Sequence, residues 1–350
     1  MSKIVAPFVI AYDFDGTLSP CNMQEFGFVF LVYMNEGGFE SYFTENEKVM
    51  HKSFFSLYQQ LEKQKLYDTL QQLTKAAQNE GEDFYKRFNL AVKQVNRLFW
   101  DKSMEIAKKQ EADPILSYMQ LFLDYAQREG VELTREFLQT LGQSIQFFDG
   151  ILGAGQTGWF DRIRAYGAEQ GIDVQHYIIS SGMTEMIEGT PIAHHFEKIY
   201  ASKYMYDEQG QACWPALAIN YTTKTQYLFR INKNSLDVTD DSRINAYLAE
   251  DKRTVPFDHM VFIGDGFTDI PCMRLVKDKG GYAIAVYSDQ ITPSLGNLNQ
   301  VFKLVQDGRC NLATKADYSE DSPIDKAVKA MIDQVVAQTK IEQLGIHKVD

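Results

Sequence analysis

Short, fully apolar runs limit the fold of this 350-residue chain more than any other feature. Phe8-Val9-Ile10-Ala11-Tyr12, His259-Met260-Val261-Phe262-Ile263 and Tyr282-Ala283-Ile284-Ala285-Val286 are compact and do not alternate with polar residues. They read as strands buried on both faces, the usual state of a parallel sheet covered by helices. Pro7 stands just before the first run, where a strand tolerates proline. His176-Tyr177-Ile178-Ile179-Ser180 has the same character and leads through Gly182 into a further helix. Helical spacing separates these runs, for example over Trp159 to Ala168 and Tyr227 to Ile231, so the class is α/β with a parallel sheet. Ile199 to Tyr204 and Ala216 to Ile219 are strand-like and flank the turn Asp207-Glu208-Gln209-Gly210, which predicts a β-hairpin. Residues 323–338 have the pattern of a last amphipathic helix, with the final dozen residues free to fray.

The texture differs from about residue 22 to 147. Prolines nearly vanish, and Phe54, Leu57, Tyr58 and Leu61 follow the i, i+3, i+4, i+7 pattern of a helix face. Ile115, Tyr118, Met119, Leu121, Phe122 and Tyr125 make another apolar face behind Pro114, and Thr134 has the place of an N-cap. This block is expected to be an all-α unit of four or five helices. The expected domains are therefore a discontinuous α/β core, residues 1–20 and 148–350, and a helical cap, residues 21–147. The apolar run Phe26 to Met34 is nine residues, against about 20 for a membrane span, and is expected to be a buried cap or hinge helix.

Charge narrows the partners. Thirty-five Lys and Arg against 47 Asp and Glu give a net charge of −12, which repels nucleic-acid phosphates and anionic lipid. Neither nucleic acid nor a membrane is an expected partner; a small anionic substrate in a locally positive pocket remains compatible. Four cysteines without CxxC spacing fit free thiols in a reducing compartment, and no signal-peptide pattern opens the chain, so a soluble cytoplasmic protein is expected.

Four clusters lie at strand ends or a helix start, and in open α/β sheets the carboxyl ends of the strands form the ligand crevice. Asp13-Phe14-Asp15-Gly16-Thr17 offers two carboxylates, one suited to nucleophilic attack and the other to acid–base work, or else a plain Asp-Gly turn. Ser180-Ser181-Gly182-Met183-Thr184 offers hydroxyls and N–H groups for an anion, or simply a serine helix cap. Lys224 lies near a helix start, from which it can reach inward to a phosphate or outward to water. Gly264-Asp265-Gly266-Phe267-Thr268-Asp269 suits a hard divalent cation such as Mg²⁺, or an acidic loop with a helix cap.

Taken together, in this order, these pieces resemble the phosphatase branch of the haloacid dehalogenase (HAD) superfamily, over about residues 5–20 and 148–290. The resemblance implies a Rossmann-like core with an inserted, all-α cap of the C1 type. It implies Asp13 as a nucleophile that becomes an aspartyl-phosphate, and Asp15 as acid and then base. Ser181 and Lys224, with backbone N–H groups of the first motif and Gly182, would hold the phosphoryl oxygens. Mg²⁺ would be bound by Asp13, the Asp15 carbonyl and Asp265, with Asp269 behind them orienting metal waters or Lys224. Dehalogenases of the superfamily lack an acid at the Asp15 position, so its presence favours phosphoryl chemistry.

The layout, hairpin included, is similar to that of phosphoserine phosphatases, with two departures. Those enzymes carry a glutamate nine residues after the nucleophile, where this chain has Asn22, with Glu25 three further on, and its cap is longer. The expected activity is therefore Mg²⁺-dependent hydrolysis of a small phosphorylated metabolite. The alternatives are phosphotransfer or mutase chemistry, which keeps both aspartates, and a non-catalytic binding module. Cys21 and the His194-His195 pair are read as structural residues; Asp317-Tyr318-Ser319 is polar and could close over the site, with no mechanism attached.

Overall fold

A computed structural model describes residues 6–153, 157–288 and 298–346. The opening five residues, read above for a leader, and the last four, read as fraying, lie outside the described residues.

The seven strands are β1 (Phe8–Tyr12), β2 (Val174–Met183), β3 (Lys198–Tyr206), β4 (Ala212–Leu217), β5 (Met260–Gly264), β6 (Tyr282–Tyr287) and β7 (Leu312–Lys315). They form one sheet in the order β4-β3-β2-β1-β5-β6-β7. Every pairing is parallel except β3 with β4. The first strand is therefore central, flanked by β2 and β5, and the order reverses beside it. All five of its residues are fully buried, as a doubly covered strand requires. Phe8, Ile10 and Tyr12 face one apolar layer, Val9 and Ala11 the other. The helices Trp159–Gln170 and Pro323–Ile346 supply the first layer; Thr225–Asn232, Ile270–Asp278 and Leu298–Gln306 supply the second.

The expected hairpin is present, but its second strand comes earlier, at Ala212–Leu217, and is an edge strand in which Pro215 costs no ladder hydrogen bond to a further neighbour. The last helix runs on to Ile346, past the expected 338.

Between β1 and β2 the described chain contains only helical elements. Ahead of Trp159–Gln170, within the expected cap, the α-helices are Phe28–Tyr33, Glu45–Met50, Lys52–Gln64, Thr69–Asn79, Glu82–Gln110, Pro114–Glu129 and Arg135–Gly142, seven where four or five were expected. Their shared core is aromatic: Phe28 and Phe99 stack on either side of Phe122 with centroids 4.3 and 4.4 Å away. Phe28 to Met34 is fully or almost fully buried there, in a six-residue helix, and among the described residues no helix is long and apolar enough to cross a membrane. The insert is pinned to the sheet by Tyr204, whose hydroxyl donates to the Met119 carbonyl (2.7 Å), and by the Ala212 N–H donating to the Leu133 carbonyl (2.7 Å).

Candidate active site

The carboxyl ends of β1, β2 and β5 open on a cavity of about 300 Å³. Asp13, Asp15, Gly16, Ser180, Ser181, Asp265, Gly266 and Thr268 line it from the sheet side, and Cys21, Asn22 and Ile115 from the insert side. Residues from all four segments singled out in the sequence therefore converge, with Lys224 immediately beneath.

Asp13 continues β1, its N–H donating to the Ile263 carbonyl of β5 (2.9 Å). The chain then turns back tightly, with Gly16 at φ 74°, a left-handed conformation that glycine adopts without strain. Lys224 is fully buried at the end of the turn Tyr221–Lys224, so the solvent-facing alternative is excluded. Its ammonium donates to Asp13 Oδ2 (2.7 Å) and Asp269 Oδ1 (2.8 Å). Carboxylate oxygens of Asp13, Asp265 and Asp269 all lie within 4.8 Å of one another.

Charge at this site is unbalanced. Burial opposes the ammonium of Lys224, but Asp13 and Asp269 more than compensate and hold it charged. Burial and the neighbouring carboxylates push Asp15 and Asp265 well above the ordinary carboxylate range. Asp269 is pushed up to about 7 by burial and Asp13, against the pull of Lys224. One ammonium thus serves four buried or cavity-lining carboxylates. An all-oxygen donor set with surplus negative charge fits a hard divalent cation. Asp13 and Asp265, the carboxylates expected to hold a metal, lie in that set together with Asp269.

The second segment differs from expectation. Strand β2 continues through Met183, and the helix after it is only Thr184–Glu188, without a side-chain cap. Ser181 is therefore a strand residue and not a helix cap. Its Oγ is buried without a hydrogen-bond partner in a wall of the cavity, where an incoming acceptor would satisfy it. The Gly182 N–H, expected to face a phosphoryl oxygen, donates instead to Ser180 Oγ (3.0 Å). Gly182 matters through closeness: a Cβ there would fall 2.1 Å from Met23 Cε and 3.2 Å from Asp15 Oδ2.

Three neighbours have roles that the sequence reading did not assign. The Met23 N–H donates to Asp15 Oδ1 (2.8 Å). Tyr318, in the polar Asp317-Tyr318-Ser319 stretch, is fully buried and donates its hydroxyl to the Thr17 carbonyl (2.8 Å), underpinning the first motif rather than closing over it. Tyr118, on the insert, donates to the Ser181 carbonyl (2.8 Å). Only for Tyr118 did the sequence hold a usable signal, since it follows the cavity residue Ile115 by three positions on one helix face. Glu25 accepts from Asn22 Nδ2 (2.8 Å) and Trp100 Nε1 (2.9 Å) behind the cavity wall. Cys21 is pushed up to about 12, by burial first and then by Glu25 and Asp15, which keeps the thiol protonated. Outside this site, His195 stacks on Phe160 (4.9 Å) in a packing role, as expected.

The resemblance to the HAD superfamily thus extends from the motifs to the place where the fold assembles them, an α/β sheet with a helical insert after its first strand. No protein-family model matches the chain. A protein of Borreliella burgdorferi described only as uncharacterized is 26% identical over 254 residues, covering 65% of this chain and 83% of that protein. Among solved structures, a HAD family hydrolase of Salmonella enterica serovar Typhi is similar over 88% of this chain and 67% of its own, at 10% identity and a TM-score of 0.37. A phosphoserine phosphatase in a phospho-aspartyl intermediate analogue form is similar over 93% and 99%, at 11% identity and a TM-score of 0.37. A protein of unknown function from Anaerococcus prevotii reaches a TM-score of 0.43 at 11% identity, over 89% and 86%. At such identities and TM-scores these likenesses bear on neither activity nor substrate.

Proposed function

We propose that the chain is a HAD-type phosphatase that hydrolyses a small phosphomonoester through a phosphorylated Asp13. The observation that carries this reading is the buried triple of Asp13, Lys224 and Asp269 at the floor of a cavity that Asp15 and the unpartnered Ser181 hydroxyl also face.

A phosphoryl group seated there accepts from Ser181 Oγ and from the Lys224 ammonium. Asp13 attacks phosphorus, and the bond from phosphorus to the leaving oxygen breaks. Asp15, held protonated by burial and by the Asp13 charge, gives its proton to that oxygen. In the second step Asp15, now a carboxylate, takes a proton from water as the water attacks phosphorus. The bond to Asp13 breaks and inorganic phosphate leaves. Asp13, the Asp15 carbonyl and Asp265, with Asp269 alongside, would hold Mg²⁺, which when bound would supply charge neutralisation for the phosphoryl oxygens.

The helical segment 21–147 acts as a cap domain on a core of residues 1–20 and 148–350 and excludes bulky substrates. About 300 Å³ holds a phosphate and a leaving group of a few heavy atoms, not a nucleic acid or a folded protein. We place the enzyme in the cytoplasm, consistent with its free cysteines. Phosphate release from a panel of phosphorylated metabolites, with Asp13→Asn and a chelator as controls, tests the reading. Release abolished by both controls supports it. Equal release with Asp13→Asn overturns it. Release that falls as an acceptor alcohol is added, with the phosphoryl group recovered on the acceptor, would show a phosphotransferase instead.

A further inference from the structure

The carbonyl of Ser181 receives two hydrogen bonds. Tyr118, on the insert helix Pro114–Glu129, donates to it (2.8 Å), and so does Ser202, on β3 (3.2 Å). Two donors on one carbonyl fix the orientation of that peptide, and with it the direction of the side chain. The side chain so fixed ends in the Ser181 Oγ, buried and without a partner at the cavity wall. Tyr118 itself is almost wholly buried, and burial pushes its hydroxyl far above the ordinary phenol range, so it stays a donor. One turn earlier on the same helix, Ile115 lines the cavity. The N-cap of that helix, Asp113, accepts from Asn220 Nδ2, and Asn220 caps the turn that carries Lys224.

We propose that Tyr118 is a positioning residue for phosphate binding. It acts through Ser181, so that the insert helps to build the phosphate pocket as well as roof it. This rests on the phosphatase reading only in taking Ser181 as a phosphate ligand.

The test is a double-mutant cycle of Tyr118→Phe and Ser181→Ala, read as the dissociation constant of inorganic phosphate by calorimetry and as KM and kcat for a hydrolysed ester. Phenylalanine keeps the ring that packs on Trp100 and Phe122 and removes only the hydroxyl. Tyr118→Phe is expected to weaken phosphate binding and raise KM about tenfold, one hydrogen bond's worth. In the Ser181→Ala background the same change is expected to cost less than about twofold, because the hydroxyl it positions is gone while the carbonyl it bonds remains. A general loss of packing would cost the same in both backgrounds, and that result overturns the proposal, as does unchanged phosphate binding in Tyr118→Phe. Because phosphate binding is measured without turnover, a wild-type chain that binds phosphate but hydrolyses no ester sinks the phosphatase reading and leaves the cycle decisive for Tyr118.

Discussion

Lys224 and Asp13 stand 211 positions apart in the chain and 2.7 Å apart in the fold, both removed from water. No other cation is placed to balance this cluster of carboxylates among the described residues, so the pair anchors both the stability and the chemistry of the site.

Replacing Lys224 by methionine keeps the length of the side chain and removes its charge. Losing one partner of a buried ion pair costs about 3–5 kcal/mol. On the proposed mechanism Lys224 is also a donor to the phosphoryl group, and loss of one such preorganised donor costs about 10²–10³ in kcat. Lys224→Met is therefore expected to melt well below the wild type and to release almost no phosphate. Thermal unfolding and a phosphate-release assay check this, and an unchanged melting temperature would count against the buried pair.

If the proposed metal site is right, a divalent cation is expected to raise the melting temperature, since the fold alone gathers Asp13, Asp265 and Asp269. At a hundred times the dissociation constant the gain is about 2.7 kcal/mol. Asp265→Asn is expected to lose most of that gain while keeping its fold in the absence of Mg²⁺. Equal stabilisation of the two proteins by Mg²⁺ would place the ion elsewhere.

Gly182→Ala separates stability from turnover. The new methyl meets the flexible end of Met23 first, which can give way at a cost of about 1 kcal/mol. Yet the Met23 N–H holds Asp15, and the methyl also presses on Asp15 Oδ2. On the proposed mechanism a displaced Asp15 slows the reaction, so kcat is expected to fall at least about tenfold with little change in unfolding. A fall in stability without a fall in kcat would contradict the geometry.

Acid stability turns on another buried carboxylate, Asp325, which does not line the cavity. Burial resists the charge on Asp325, but hydrogen bonds from Lys329 (2.8 Å), Arg162 (3.1 Å) and the Asp321 N–H (3.1 Å) outweigh it and lower its pKa. A carboxylate depressed in the folded state stabilises above its unfolded pKa of about 4 and loses that contribution as pH falls through the lower folded value. Asp325→Asn is expected to cost about 3 kcal/mol at pH 7, a cost that shrinks below pH 4. Melting curves at pH 7 and pH 3 show whether the gap closes; a constant gap means that the charge is not what counts.

The sheet was legible because apolar runs such as Phe8–Tyr12 satisfy only one geometry, a strand covered on both faces. The site was legible because its acidic and hydroxyl residues follow directly on those runs. The helix count was not. The helices ending at Gln64 and Gln110 stop at Lys65 and Glu111, both left-handed at φ 51°. Nothing in a lysine or a glutamate announces such a stop as a glycine would. The run of Ser181 into β2 was hidden for a related reason: serine before glycine reads as a cap unless the neighbouring strand is known. Tyr318 reaches the site through a contact 301 residues long, which no local pattern encodes, and Tyr118, 63 residues from Ser181, showed only as a neighbour of Ile115 on one helix face.

The central place of β1 also sets the order in which the molecule can be assembled. During synthesis the first strand emerges with neither neighbour made; β2 begins only at Val174 and β5 at Met260. The helices between rely on nearer contacts and can form while β1 waits, since loop closure over long separations is the slow part of folding. The aspartates of the first motif can meet Lys224 and Asp269 only after those long separations close. In refolding, helical circular dichroism is accordingly expected to return ahead of phosphate release, the lag being the time in which the two ends of the chain find each other.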